Sequence, residues 1–315
     1  MSKILVVGGA GYIGGFLTDE LLKEGFDVTV YDNLLYEERF LKDTKFIYGD
    51  IRDREKLDKI VDDYDTIIWL AAIVGDGACA VDPFFTQSVN EDSVKWIVDR
   101  CPHKKIIFTS TCSVYGINND LIGEDAEPNP LSVYARTKLL AEKYIISKHN
   151  NYLIFRLGTL FGTGDGYSRI RFDLVANLLT MKATLGMPIT VNGGEQWRPL
   201  LHVKDVSTAI IFGIKNEING LYNLSYDNYL IADIAKEIKE YIPETVVLYK
   251  DMSFEDLRNY RVKNNRYIEK GWVPQYTLED GILDIKKIVE EKRLKNINDP
   301  VYSNEGFIKE KHVKF

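Results

Sequence analysis

The segment Gly8-Gly9-Ala10-Gly11-Tyr12-Ile13-Gly14 constrains this chain more than any other stretch. It follows the β-branched run Lys3 to Val7 directly and precedes a helix-like segment that begins near Tyr12. It fits G-x-G-x-x-G and, counted from Gly8, G-x-x-G-x-x-G. In that setting bare backbone lets a phosphate approach, amides at the helix start donate to it, and the last glycine lets helix and strand pack tightly. Asp32 ends a second strand candidate, Val28 to Asp32, 18 residues after Gly14. A carboxylate there accepts from a ribose 2′-hydroxyl and repels a 2′-phosphate, so NAD is expected rather than NADP. Gly8, Gly11, Tyr12, Ile13, Gly14, Asp32 and the adjacent Asn33 are the first candidate cofactor residues. Arg39, the only basic residue soon after Asp32, reads as surface.

Charge and cysteine usage narrow the partners. Forty Lys and Arg against 47 Asp and Glu leave a net charge of −7 over 315 residues, which argues against a nucleic-acid backbone as main partner. Small phosphate ligands remain open, because backbone amides and a few arginines bind them whatever the global sign. Cys79, Cys101 and Cys112 lack metal-ligand spacing and read as free thiols in a reducing compartment, with no metal expected. The apolar stretch at Ile4 to Val7 is too short for a secretory signal, and Ile67 to Val74 is too short to span a bilayer. A cytoplasmic protein with no membrane partner is expected.

Strand candidates at Lys3 to Val7, Val28 to Asp32, Lys45 to Tyr48, Thr66 to Leu70, Lys105 to Thr109 and Tyr152 to Leu157 alternate with longer amphipathic stretches. Such alternation predicts an α/β fold, a Rossmann doubly wound parallel sheet, with a smaller α/β substrate-binding lobe. Residues 1–160 and 200–230 are assigned to the NAD-binding domain, and 161–199 and 231–315 to the substrate-binding lobe. Gly162 to Gly166 and Asn192 to Arg198 read as loops. Lys292 to Phe315, charged and weakly periodic, reads as a surface extension or as partly disordered.

Ligands of such sheets lie beyond the strands' carboxyl ends, so Asp50-Ile51 after the third strand and Leu70-Ala71-Ala72 after the fourth point at the cofactor crevice. Asp50 suits an adenine amino group or, alternatively, caps the next helix. Tyr134 and Lys138 stand at i and i+4, where an ammonium beside a phenol would lower its pKa and make it a base for a hydroxyl whose carbon loses hydride. Thr111, in the hydroxyl-rich run Thr109 to Gly116, is the candidate to orient that hydroxyl.

Together these residues, with Arg156 and with Arg198 ahead of His202-Val203-Lys204-Asp205, resemble the extended short-chain dehydrogenase/reductases, specifically the NAD-dependent epimerase/dehydratase group that acts on nucleotide sugars. The resemblance implies that Tyr134 is the acid/base and that Lys138 binds the nicotinamide ribose and tunes Tyr134. It implies that Thr111 orients the sugar, with Cys112, Ser113, Thr159, Asn177 and Arg198 as further substrate contacts and Arg198 on the diphosphate. His202 matches a structural position, buried or capping. The nucleotide sugar is GDP-, UDP- or dTDP-linked. Family dehydratases carry Asp-Glu after the threonine, whereas this chain has Cys112-Ser113, so elimination is disfavoured. What remains is hydride transfer at sugar C4, as a 4-epimerase or 4-dehydrogenase in surface-polysaccharide biosynthesis. The capsule-type GDP-heptose 4-dehydrogenases and the hexose 4-epimerases both fit, and a 4-ketoreductase or a non-catalytic NAD-binding regulator is the alternative. The resemblance implies a homodimer through the Leu139 to Ile146 face, the alternative being that its apolar residues pack on the sheet.

Overall fold

The structure, a computed structural model, describes residues 2–251, 258–294 and 296–312. Its centre is β1 (Lys3–Val7), which pairs in parallel with β2 (Asp27–Asp32) on one side and β4 (Thr66–Trp69) on the other. β3 (Lys45–Tyr48) adds beyond β2, and β5 (Lys105–Thr111) beyond β4. The strands Tyr152–Leu157 and Gly220–Leu224 complete a seven-stranded sheet, parallel throughout. This is the expected Rossmann architecture. β5 runs two residues further than anticipated, which carries Thr111 to the edge of the crevice.

Successive residues of β1 serve opposite layers, as the two-residue strand period requires. Ile4 and Val6 pack with Leu17 and Leu21 of the helix Gly14–Lys23 and with Val206 and Ile210 of Val203–Lys215. Leu5 and Val7 face the other layer, where Ile97 of Ser93–Arg100 and Ala141 and Ile145 of Val133–Lys148 lie.

A second core joins the helices Val175–Thr184, Ile231–Tyr241 and Leu278–Glu290 through Leu179, Ile234, Ile238 and Ile282. A strand begins at Trp197 inside the stretch read as loop. Trp197–His202 runs parallel to Thr159–Phe161 and antiparallel to Asp227–Leu230, outside the large sheet. His202 is fully buried and caps the helix Val203–Lys215, its Nδ1 accepting from Lys204 N at 3.2 Å.

The C-terminal reading needs correction where the residues are described; Lys295 and 313–315 lie outside them. A 3₁₀ turn, Pro300–Tyr302, leads into the helix Asn304–His312, whose Ile308 is buried in the sheet's second core layer. Its charges mislead because only a few apolar residues, Ile308 and Phe307 among them, dock it.

Candidate active site

The glycine turn is built by packing from three directions. Gly8 sits at φ +83°, and a Cβ there would lie 2.5 Å from Ala71 N; a Cβ on Gly14 would lie 2.5 Å from Gly9 Cα. Both must be glycine for the protein's own sake. Gly11 differs, since its Cβ would meet only Gly8 O, at 3.4 Å, leaving one side of the turn open. Among the described residues no side chain caps the helix that follows, so its first amides are available to an anion.

Above this turn lies a cleft of about 940 Å³ that runs from Gly8 and Asp32, past the ends of β4 and β5, to Arg198. Gly8, Gly11, Tyr12, Ile13, Gly14, Asp32, Asn33, Asp50, Ile51, Leu70, Ala71 and Ala72 all line it. Asp32 is fixed by two amides, Ala10 N donating at 3.0 Å and Leu34 N at 2.7 Å. Burial raises its pKa, and these backbone bonds oppose the rise. Asp50 is not a helix cap. Asp53 takes that role, while Asp50 binds Arg52 in a two-pronged pair, Nε at 2.9 Å and Nη2 at 2.8 Å, and accepts from Asn33 Nδ2 at 3.3 Å.

Tyr134, Lys138, Thr111, Ser113, Thr159 and Arg198 line the same cleft. The helix Val133–Lys148 starts at a Ser132 cap, with Ala135 N donating to Ser132 Oγ at 3.1 Å, so its first turn faces the ends of β4 and β5. Tyr134 is 9% exposed and Lys138 2%. Burial raises the Tyr134 pKa, with nearby Cys79 adding to the rise and a hydrogen bond with Thr111 and the charge of Arg171 opposing it. Burial also pulls Lys138 down to about 7, against the opposing pull of Glu142, and its Nζ lies 4.1 Å from the Phe108 ring centroid.

Two expected substrate contacts are elsewhere. Cys112 is fully buried and its Sγ donates to Arg156 O at 3.2 Å, because the tight turn after β5 swings it away from the cleft. Asn177 is buried on the inner face of its helix, accepting from Gly162 N at 2.8 Å and donating to Arg171 O at 3.0 Å, while Val175, Leu178 and Leu179 line the cleft.

The structure adds residues that local pattern did not single out. Glu142, one turn beyond Lys138, is buried and binds Arg156 through Nε and Nη2, the latter at 2.8 Å, and accepts from Ser110 Oγ. It ties the Tyr134 helix to β5 and Tyr152–Leu157; its i+4 spacing from Lys138 was the available signal. Arg258 lines the cleft beside Arg198 and pairs with Asp76 at 3.2 Å. Arg169, Arg171 and Asp173 form part of the opposite wall, and Ser303, Asn304 and Glu305 of the C-terminal segment reach it too.

A glycine-turned parallel sheet whose cleft joins a Tyr-x-x-x-Lys helix to hydroxyls at a strand end defines a dinucleotide-dependent oxidoreductase of the short-chain type. Residues 4–225 match the description of the NAD dependent epimerase/dehydratase family, and the chain belongs to it. It is 28% identical over 303 residues to a putative UDP-glucose 4-epimerase of Methanocaldococcus jannaschii, covering 89% of this chain and 95% of that one. Its fold matches the UDP-glucose 4-epimerase of Thermotoga maritima, solved with UDP-glucose, at TM-score 0.81 and 24% identity over 93% of this chain and 100% of that one. It also matches the Thermus thermophilus UDP-glucose 4-epimerase complexed with NAD, at TM-score 0.79 and 23% identity over 91% and 99%. The protein is thus an NAD-dependent enzyme. The open side of Gly11, the uncapped helix and the fixed Asp32 fit that cofactor. Among the described residues no helix is long and apolar enough to cross a membrane.

Proposed function

We propose that this enzyme is a nucleotide-sugar 4-epimerase that oxidises and re-reduces the C4 carbon of a UDP-linked sugar. The observation that carries the reading is the convergence of Tyr134, Thr111 and Lys138 on the glycine-turn cleft that also holds Arg198. The glycine turn, Asp32 and Lys138 hold NAD, which when bound supplies a hydride acceptor at C4 and a positive charge that favours phenolate at Tyr134. Tyr134 takes the C4 hydroxyl proton as hydride leaves and returns it on reduction. Thr111 hydrogen-bonds the same oxygen and fixes its distance from the phenol. Arg198, with Arg258 beside it, grips the substrate diphosphate by its guanidinium fork.

Absence of a carboxylate at the position after Thr111 supports epimerisation over elimination, since Cys112 is turned inward and Ser113 Oγ lies 3.3 Å from Tyr260 Oη. A 4-dehydrogenase serving surface-polysaccharide synthesis uses the same first half-reaction and differs in releasing the keto sugar. Proton NMR of UDP-glucose incubated with the enzyme distinguishes them. UDP-galactose at equilibrium supports the epimerase; a keto sugar with stoichiometric NADH supports the dehydrogenase; no change with UDP-, GDP- or dTDP-sugars rejects both.

A further inference from the structure

We propose that Arg171 is a second clamp on the cofactor's diphosphate, reaching it from the wall opposite the glycine turn, with Asp173 and Asn304 holding the guanidinium in place. The inference rests on the reading that NAD occupies the glycine turn, and it concerns a residue outside that turn.

Arg171 is 7% exposed and lines the cleft. Its guanidinium carbon lies 5.9 Å from the ring centroid of Tyr12, a member of the glycine turn. Nε and Nη2 both donate to Asp173, each at 3.0 Å. Among the described residues Nη1 has no hydrogen-bond partner, so one edge of the fork is anchored and the other is uncommitted. Nη1 is not among the buried polar atoms left without a partner, so it opens on the cleft, where a ligand can meet it.

Charge on this wall points to the ligand's sign. Arg169 stands beside Arg171, and burial together with that neighbour pulls it down to about 10. Asp173 is one compensating carboxylate; the other, Glu37, is raised by burial to about 7 and accepts from Arg169 N at 2.8 Å. Asp173 is taken up by Arg171 and Glu37 by the backbone of Arg169, so an anion fits beside the two guanidiniums. A diphosphate between the glycine turn and Arg171 supplies it, with planar oxygen pairs that suit the fork. The substrate's own diphosphate is the other source of this chemistry, and the Tyr12 contact favours the dinucleotide.

The support behind Arg171 is remote in sequence. Asn304 N donates to Asp173 Oδ2 at 3.0 Å, Asn304 Nδ2 donates to Val74 O at 2.8 Å, and its Oδ1 accepts from Arg169. Asp173 and Asn304 are positioning residues; they act on the cofactor only through Arg171.

Isothermal titration of NAD, ADP and UDP into the full chain tests this. Arg171→Met should weaken NAD and ADP by about 10- to 100-fold, the range of a lost charge-assisted hydrogen bond, and leave UDP within about twofold. Asp173→Asn should weaken NAD in the parent and do nothing further in the Arg171→Met background. NAD affinity unchanged in Arg171→Met overturns the proposal, as does a loss confined to UDP, which would assign the guanidinium to the substrate. If Arg171→Met does not fold, Arg171→Lys decides, because an ammonium cannot reproduce the fork and full NAD affinity there rejects the clamp. A parent chain that binds no NAD at all would instead refute the cofactor site.

Discussion

Along the strand ends, Gly8, Asp32, Ala71 and Thr111 each lie on, or within two residues of, the strand that presents them, whereas Asp173 and Asn304 meet across 131 residues of chain. The two walls of the cleft differ accordingly in what keeps them in place. The sheet wall inherits the stability of seven paired strands and two helical layers. The opposite wall rests on a smaller core, where Phe172 packs with Met181, Ile285 and Val289, and on a short C-terminal helix docked by a few apolar side chains and by the Asn304 bonds. Elements with few buried contacts open at lower free energy than the core, so cofactor exchange should proceed by loosening of the second wall while the first stays folded.

The largest expected effect strikes the sheet wall. Glu142→Ala leaves Arg156 buried without its carboxylate and should cost about 3–5 kcal/mol of unfolding free energy in urea titration. A loss below about 1 kcal/mol would mean that the pair does not bind the Tyr134 helix to the sheet. Tyr134→Phe should leave folding and NAD affinity intact but slow single-turnover hydride transfer by roughly 10²- to 10⁴-fold. An unaltered rate removes Tyr134 from the chemistry. On the other wall, Asn304→Ala should cost about 1–3 kcal/mol, and hydrogen exchange should quicken in residues 299–312 before it changes in β1 or β5. Simultaneous loss of protection in both would abolish the distinction between the walls.

The smallest effect is a pH slope. Lys138 is depressed to about 7 in the folded chain, against 10.5 for an unperturbed lysine. Between these values the unfolded chain holds the proton and the folded one has released it, so unfolding free energy rises with pH. The gain is at most about 1.4 kcal/mol per pH unit. Lys138→Met should flatten the rise seen between pH 7 and 8; a parent whose stability falls over that interval contradicts the assignment.

The contrast also explains which residues were legible. Both ends of three strands and the glycine turn were readable because each depends on neighbours a few positions away. Cys112 was misplaced because it sits one step past a strand, where a 3₁₀ turn replaces the two-residue alternation. Asn177 was misplaced because a helix lying between core and cleft offers apolar residues to both, and a polar one inside is visible only through its partners Gly162 and Arg171. Arg171 carries only the local pairing with Asp173 two residues on. Its meaning comes from Tyr12, far upstream, and Asn304, far downstream.

The bond between Glu142 and Arg156 has one more consequence. With the Ser110 bond it ties the helix bearing Tyr134 to the strand bearing Thr111 and to that strand's neighbour, so phenol and hydroxyl keep their spacing as a single solid part. Tyr134 as the proposed proton acceptor, mounted so firmly, cannot follow a moving substrate. If both faces of a sugar are to be served in one turnover, the sugar must do the turning while the residues that handle its proton stand still.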